Sequence, residues 1–193
     1  MSGLETAPLS KAELRREALA RRAAIPADVR QAFAERLAIE GVAIARRAMA
    51  RTVSLFWPIG DEADPRLLLQ ALSYHEFVTA LPVSVGRGHP LVFRRWAWGQ
   101  PMVEGQMRIP EPSPRLPDVQ PDLLFVPLAV FDRRGFRIGY GDGHYDLTLE
   151  RLRASRSVPA IGIAYECQEV ARVPEEAHDQ PLDLIITERD VID

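Results

Sequence analysis

Leu123-Leu124-Phe125-Val126 is an apolar run in which neither alternate set of positions is polar. A strand with one wet face alternates apolar and polar side chains, so this run predicts a centre strand covered on both sides. Strands alternating with helices along the chain argue an α/β layer fold with a largely parallel sheet. The flanking pattern agrees. Thr52 to Phe56, Phe77 to Leu81, Leu91 to Trp96, Ala160 to Ala164 and Leu184 to Thr187 read as further strands. Ser10 with Glu13 forms a capping box and predicts a helix from Lys11 to the Ile25-Pro26 break. Val29, Phe33 and Leu37, at i, i+4 and i+8, mark a second helix that Pro26 can start. Asp64-Pro65 reads as an N-cap with proline at the first helical position, opening a third helix through Leu72. A fourth runs from Tyr145 to Ala154. Residues 99–121 carry many prolines and are read as mostly irregular. The expected architecture is a three-layer Rossmann-like α/β fold with a largely parallel central sheet flanked by helices. No repeat, low-complexity tract or linker divides it, so residues 1–193 are read as one domain.

In such sheets ligands sit beyond the carboxyl ends of the strands. The loops at 57–64, 127–144 and 165–182 follow strands in this reading and can converge on one crevice. The middle loop ends in Arg137-Ile138-Gly139-Tyr140-Gly141-Asp142-Gly143-His144-Tyr145-Asp146. Glycine lets a backbone approach a ligand closely, and several N–H groups can then meet one anion at the start of a helix. Asp146 falls in the first turn of that helix, where a carboxylate can hold a Mg²⁺ that bridges to phosphate. The residues therefore point to a nucleoside triphosphate or another phosphorylated ligand. Most glycine-rich turns bind nothing, so the motif alone is a weak signal. It is neither a dinucleotide fingerprint, which would need glycine where His144 stands, nor a P-loop, since Gly-Lys-Ser/Thr is absent.

Net charge is −3, which argues against a general nucleic-acid binder. The charge is uneven: residues 1–51 sum to +4 and the rest to −7. A basic arm on an acidic body either contacts an anionic ligand or is a solvated helix face. Lys11 is the only lysine among 24 basic residues, in a chain that otherwise uses arginine. A compact ammonium differs from a planar fork, so the exception either marks a special position or is chance. The single Cys167 excludes an internal disulfide and is read as buried and inert. No apolar run of about 18 residues occurs, so a soluble, cytoplasmic protein without membrane contact is expected.

Four blocks in order resemble the 5-formyltetrahydrofolate cyclo-ligase (methenyltetrahydrofolate synthetase) family. They are Lys11-Ala12-Glu13-Leu14-Arg15, Asp61-Glu62 after Trp57, the run from Asp122 through Phe131-Asp132-Arg133-Arg134-Gly135-Phe136-Arg137 to Asp146, and Pro174 to Asp179 with Asp183 to Glu188. The chain departs from the pattern at Asp142, His144 and Leu147.

The resemblance implies an ATP- and Mg²⁺-dependent ring closure of 5-formyltetrahydrofolate, in monoglutamyl or polyglutamyl form, to 5,10-methenyltetrahydrofolate, ADP and phosphate, by a monomer. It implies that Lys11, Arg15, Arg137, Gly139, Gly141, Gly143 and Tyr145 bind ATP, with Arg137 and Tyr145 also catalytic. Asp146 and Asp179 are the implied metal ligands. Trp57, Glu62, Tyr140 and His144 are the implied folate-binding residues. Two other readings stand beside it: a divergent relative that uses ATP on another substrate, and a non-catalytic binder of folate or nucleotide. His75, His89, His178 and Cys167 show no zinc-ligand spacing.

Overall fold

The computed structural model describes residues 9–105 and 108–193. Helices α1 (Lys11–Ala23) and α2 (Ala27–Arg47) come first. Strand β1 (Thr52–Ser54) is followed by α3 (Arg66–Tyr74) and β2 (Val78–Val83). Then come β3 (Val92–Arg95), β4 (Met102–Glu104), β5 (Pro110–Pro112) and β6 (Asp118–Val119). The second half holds β7 (Leu123–Pro127), β8 (Val130–Phe131), β9 (Arg137–Ile138), α4 (His144–Arg153), β10 (Ala160–Ile163), β11 (Leu184–Ile186) and β12 (Val191–Ile192). Among the described residues no helix is long and apolar enough to cross a membrane.

The main sheet has the order β12-β11-β10-β7-β1-β2-β3-β6. Its five inner strands, β11, β10, β7, β1 and β2, are parallel, and β12, β3 and β6 pair antiparallel at the edges. The apolar run predicted the centre correctly. Leu123 and Phe125 of β7 pack toward Leu37, Leu68 and Leu72 of α2 and α3. Leu124 and Val126 pack toward Leu149 and Leu152 of α4 on the opposite face. All four β7 residues are fully buried, and each such side chain contributes roughly 1.5–3 kcal/mol over its exposed state.

Some expectations need correction. Residues 99–121 are mostly irregular among the described residues, as read, but the stretch also holds the β4–β5 hairpin and edge strand β6, which the sequence reading did not separate. Proline is tolerated where no ladder donor is needed, and Pro110 and Pro112 both sit on a two-stranded ribbon. Residues 106 and 107 of this stretch lie outside the described residues. Proline 65 caps α3 and does not open it; Asp64 Oδ1 accepts from the Arg66 N–H at 2.9 Å. Pro26 likewise caps α2. Cys167 is half-buried, its backbone carbonyl accepting from Arg21 Nε at 2.7 Å, and burial pushes its thiol pKa up.

The β8–β9 hairpin carries the chain from the sheet to the glycine loop. Its turn is organised by Asp132, whose side chain is 1% exposed. That carboxylate accepts from the backbone N–H groups of Arg134 and Val173 at 2.9 and 2.8 Å, and from the Arg134 guanidinium at 2.8 Å. Gly135 closes the turn at φ +84°, and a Cβ there would stand 2.5 Å from the Leu182 carbonyl oxygen. Leu182 N–H in turn donates to the Gly135 carbonyl at 2.9 Å. Gly135→Ala therefore combines backbone strain of roughly 1–3 kcal/mol with a clash against main chain. We expect the urea midpoint to fall by the equivalent of about 2 kcal/mol or more; an unshifted midpoint would show that this turn does not need glycine.

Candidate active site

The sheet changes direction between β1 and β7: the chain adds β2 and β3 on one side of β1, then returns to build β7, β10 and β11 on the other. At such a switch point the loops leaving adjacent strands part and open a crevice. A cavity of about 700 Å³ lies there. Its walls come from the segment after β1, the loop after β2, the glycine loop with the start of α4, one face of α1, and residues 176–179. Of the three loops expected to converge, the third arrives through its end; Gln168, earlier in it, instead donates to the carbonyls of Leu128 and Ala129. Lys11, Arg15, Trp57, Glu62, Arg137, Gly139, Tyr140, Gly141, Gly143, His144, Tyr145, Asp146 and Asp179 all line this one cavity.

Helix α1 lays its basic face over the glycine loop. Lys11 Nζ lies 2.9 Å from Asp179 Oδ2 and 3.1 Å from Glu176 Oε1. Burial works against the Lys11 ammonium, but the hydrogen bonds and charges of Asp179 and Glu176 outweigh it and raise its pKa. Burial also opposes Asp179 ionisation, and the Lys11 hydrogen bond overcomes it to lower that pKa. Arg15 Nε donates to the Gly139 carbonyl at 2.7 Å, one turn further on. Ala18 is fully buried, and Arg22 follows on the same face. The arm is therefore packed against the acidic body and is not simply a solvated face.

The glycine loop is held at both ends by one ion pair. The Arg137 guanidinium, 4% exposed, donates to Asp146 Oδ1 at 2.8 Å and to the Gln180 carbonyl. Burial lowers the Arg137 pKa, while the Asp146 charge opposes that change. Gly143, at φ +65°, precedes α4 and no side chain caps that helix. Gly143, His144, Tyr145 and Asp146 line the cavity, so the positive end of the helix dipole borders it. The Tyr145 hydroxyl is buried without a hydrogen-bond partner among the described residues. Burial first, then the Glu62 charge, pushes its pKa up, so it remains a neutral donor.

The opposite rim is a connected polar network. Tyr140 donates to Glu62 Oε1 at 2.7 Å and accepts from Arg22 Nη1 at 3.0 Å. Glu62 Oε2 accepts from the Ile59 N–H at 2.8 Å. Arg22 also pairs with Asp61 at 2.8 Å, and Arg30 donates to the Asp61 carbonyl at 2.6 Å. Trp57 lines the cavity and also packs in a tryptophan cluster, edge-on to Trp96 at 5.9 Å and stacked near Trp98 at 6.4 Å. His144 Nδ1 is 2.9 Å from the His89 carbonyl, which can only accept, so Nδ1 carries the proton. Asp142 does not face the cavity as an uncompensated anion: Arg87, across the rim, pairs with it at 2.8 Å.

Sequence reasoning missed Arg22, Arg87 and Glu111. Arg22 had a legible signal, since Lys11, Arg15, Ala18 and Arg22 recur at helical spacing. Arg87 and Glu111 had none, because both reach the cavity from segments whose position depends on tertiary packing. No group of three or more histidine, cysteine or carboxylate side chains is placed to hold a metal among the described residues.

The fold and cavity define a Rossmann-like α/β protein whose basic and acidic side chains meet at the sheet's switch point. The model of the 5-formyltetrahydrofolate cyclo-ligase family matches residues 8–188. The 5-formyltetrahydrofolate cyclo-ligase of Haemophilus influenzae is 36% identical over 138 residues, covering 69% of this chain and 73% of its own. That of Escherichia coli K12 is 31% identical over 86% of this chain and 94% of its own, and that of Mycolicibacterium smegmatis 31% over 93% and 94%. The solved 5,10-methenyltetrahydrofolate synthetase of Aquifex aeolicus superposes with a TM-score of 0.79 at 27% identity, covering 95% of this chain and 92% of that one. The chain belongs to the 5-formyltetrahydrofolate cyclo-ligase family of enzymes.

Burial holds the Glu62 carboxyl above its usual range, against the hydrogen bonds from Tyr140 and the Ile59 N–H. Between the unfolded and folded pKa the native state keeps a proton the unfolded chain has lost, so this group costs stability as pH rises. Glu62→Gln removes that loss. Its melting temperature relative to the unmodified protein should grow more favourable as pH rises above the ordinary glutamate range, about pH 4. A difference that does not change with pH would mean that Glu62 is not held in this way.

Proposed function

We propose that this chain cyclises 5-formyltetrahydrofolate to 5,10-methenyltetrahydrofolate with conversion of ATP to ADP and phosphate, acting as a cytoplasmic monomer on folates with one or several glutamates. The observation that carries this reading is the convergence in one cavity of a cationic wall, a carboxylate pair and a polar rim. A formamide carbonyl is a poor electrophile. Transfer of the γ-phosphoryl group to the formyl oxygen breaks the terminal P–O bond of ATP and creates a good leaving group. N10 then bonds to the formyl carbon, loses its proton, and the C–O bond to phosphate breaks. Such a reaction asks the protein chiefly for positioning and charge neutralisation.

Lys11 and Arg15 supply cations from one face of α1, and Gly139, Gly141 and Gly143 line the same cavity. Arg137 sits beneath them as a charge that neither solvent nor rotation can move far. Tyr145, neutral and unpartnered, offers a hydroxyl proton to charge developing on an oxygen. Glu62 and Tyr140 orient the folate ring, with Trp57 against it and His144 at the rim. Asp146 Oδ1 and Asp179 Oδ2 are already bonded within the protein; among the described residues Asp146 Oδ2 has no protein partner and Asp179 Oδ1 has only His178 Nε2, at 3.8 Å. Hard oxygen donors suit Mg²⁺, so Asp146 and Asp179 fit its requirements. When bound, Mg²⁺ would neutralise phosphate charge.

The reading predicts growth of methenyl absorbance that requires 5-formyltetrahydrofolate, ATP and Mg²⁺ together. Lys11→Gln should lower turnover by roughly 10²–10³-fold, the usual effect of removing one charge aimed at the transition state. Asp146→Asn, which keeps a hydrogen-bond acceptor for Arg137, should raise the Mg²⁺ concentration needed for half-maximal turnover. Folded protein that binds ATP yet forms no methenyl product would favour another substrate for the same site.

A further inference from the structure

The cavity has a second acidic wall. Glu111 lies on β5 opposite Val103 of β4, and its side chain turns into the cavity with only 9% exposure. The Ser84 N–H donates to Oε1 at 3.0 Å. Among the described residues Oε2 has no protein hydrogen-bond partner, and no arginine, lysine or histidine pairs with the group. Gly105 makes room for it: a Cβ there would stand 2.1 Å from Glu111 Cδ and 2.4 Å from Oε2. The hairpin thus gives up a side chain to seat a carboxylate.

With Oε1 held by the Ser84 N–H and no cation beside the group among the described residues, Oε2 opens on the cavity and is free to accept donors from a ligand. Glu62, the other cavity glutamate, already has a protein donor on each oxygen. Glu111 therefore holds the larger unused acceptor capacity. The cavity lining also includes the apolar side chains of Leu81, Pro82 and Pro110, which suit a flat ring. A carboxylate is matched geometrically by two N–H donors side by side on such a ring.

We propose that Glu111 is a substrate-binding residue that accepts the 2-amino group and the adjacent ring N–H at the pyrimidine edge of the reduced pterin. The assignment rests on the folate reading of this cavity. It makes the proline-rich hairpin a specificity wall of the site.

The test compares 5-formyltetrahydrofolate with its 2-desamino analogue, at saturating ATP, in the unmodified protein and in Glu111→Gln. The amide keeps the shape and an acceptor for the Ser84 N–H but loses the charge and one acceptor. Loss of a charge-assisted hydrogen bond should raise KM for 5-formyltetrahydrofolate about 10- to 100-fold, with KM for ATP changed by less than about twofold. The preference for the amino-bearing substrate should shrink in the variant. An equal preference in both proteins overturns the proposal, because a merely structural residue does not respond to the ligand's amino group. Should the variant fail to fold, Glu111→Asp replaces it, and an undiminished preference there overturns the proposal equally. If the unmodified protein forms no methenyl product, the same comparison is made by equilibrium dialysis of the two folates. A preference that depends on Glu111 then supports this assignment while the cyclisation reading fails; a preference independent of it overturns both.

Discussion

The pairing of Arg137 with Asp146 is the interaction on which the rest of the site depends. It joins strand β9 to the first turn of α4 across the whole glycine loop. The Gln180 N–H also donates to Asp146 Oδ1 at 3.0 Å, so the segment leading to β11 is held by the same carboxylate. A loop of glycines has little order of its own, since each gives up more backbone freedom than any other residue. Fixing its two ends holds the loop along the cavity wall. The cost is a nearly dry guanidinium, and removing one partner from such a pair typically loses about 3–5 kcal/mol.

Around that pair the chain solves a charge problem by docking its own halves. Helix α1 has a small apolar face: Leu14, Ala18 and Leu19 join Val130, Ile138 and Val173 in a minor cluster beside the main core. Its polar contacts are longer in reach. Lys11 meets Asp179, Arg15 meets the Gly139 carbonyl, and Arg22 meets Asp61 and Tyr140. The basic first quarter and the acidic remainder are complementary surfaces within one fold.

Much of this was legible beforehand. The Ser10–Glu13 box forms as read, with the Ser10 N–H donating to Glu13 Oε2 at 2.9 Å. The unbroken apolar run at 123–126 identified the central strand because burial on both faces leaves no room for alternation. The cavity-lining residues were traceable where chemistry is written locally, in glycine spacing, in an i, i+4 pair of cations, and in carboxylates beside them. The β4–β5 hairpin was not, because its prolines read as breakers while their missing N–H groups fall where the ribbon needs no donor. Asp142 is legible in the sequence only as a departure from the family pattern; the fold brings Arg87 from 55 residues away to pair with it.

The sequence by itself determined the layer order of the fold and the chemical types gathered at the crevice. Hydrophobic periodicity and glycine stereochemistry act over a few residues, and both can be read along a chain. The tertiary structure alone decided which groups face one another: Tyr140 with Glu62 across the cleft, Arg22 beneath both, and Glu111 turned inward over Gly105. Those contacts join segments tens of residues apart. They follow from how the whole core packs, and no local pattern encodes them.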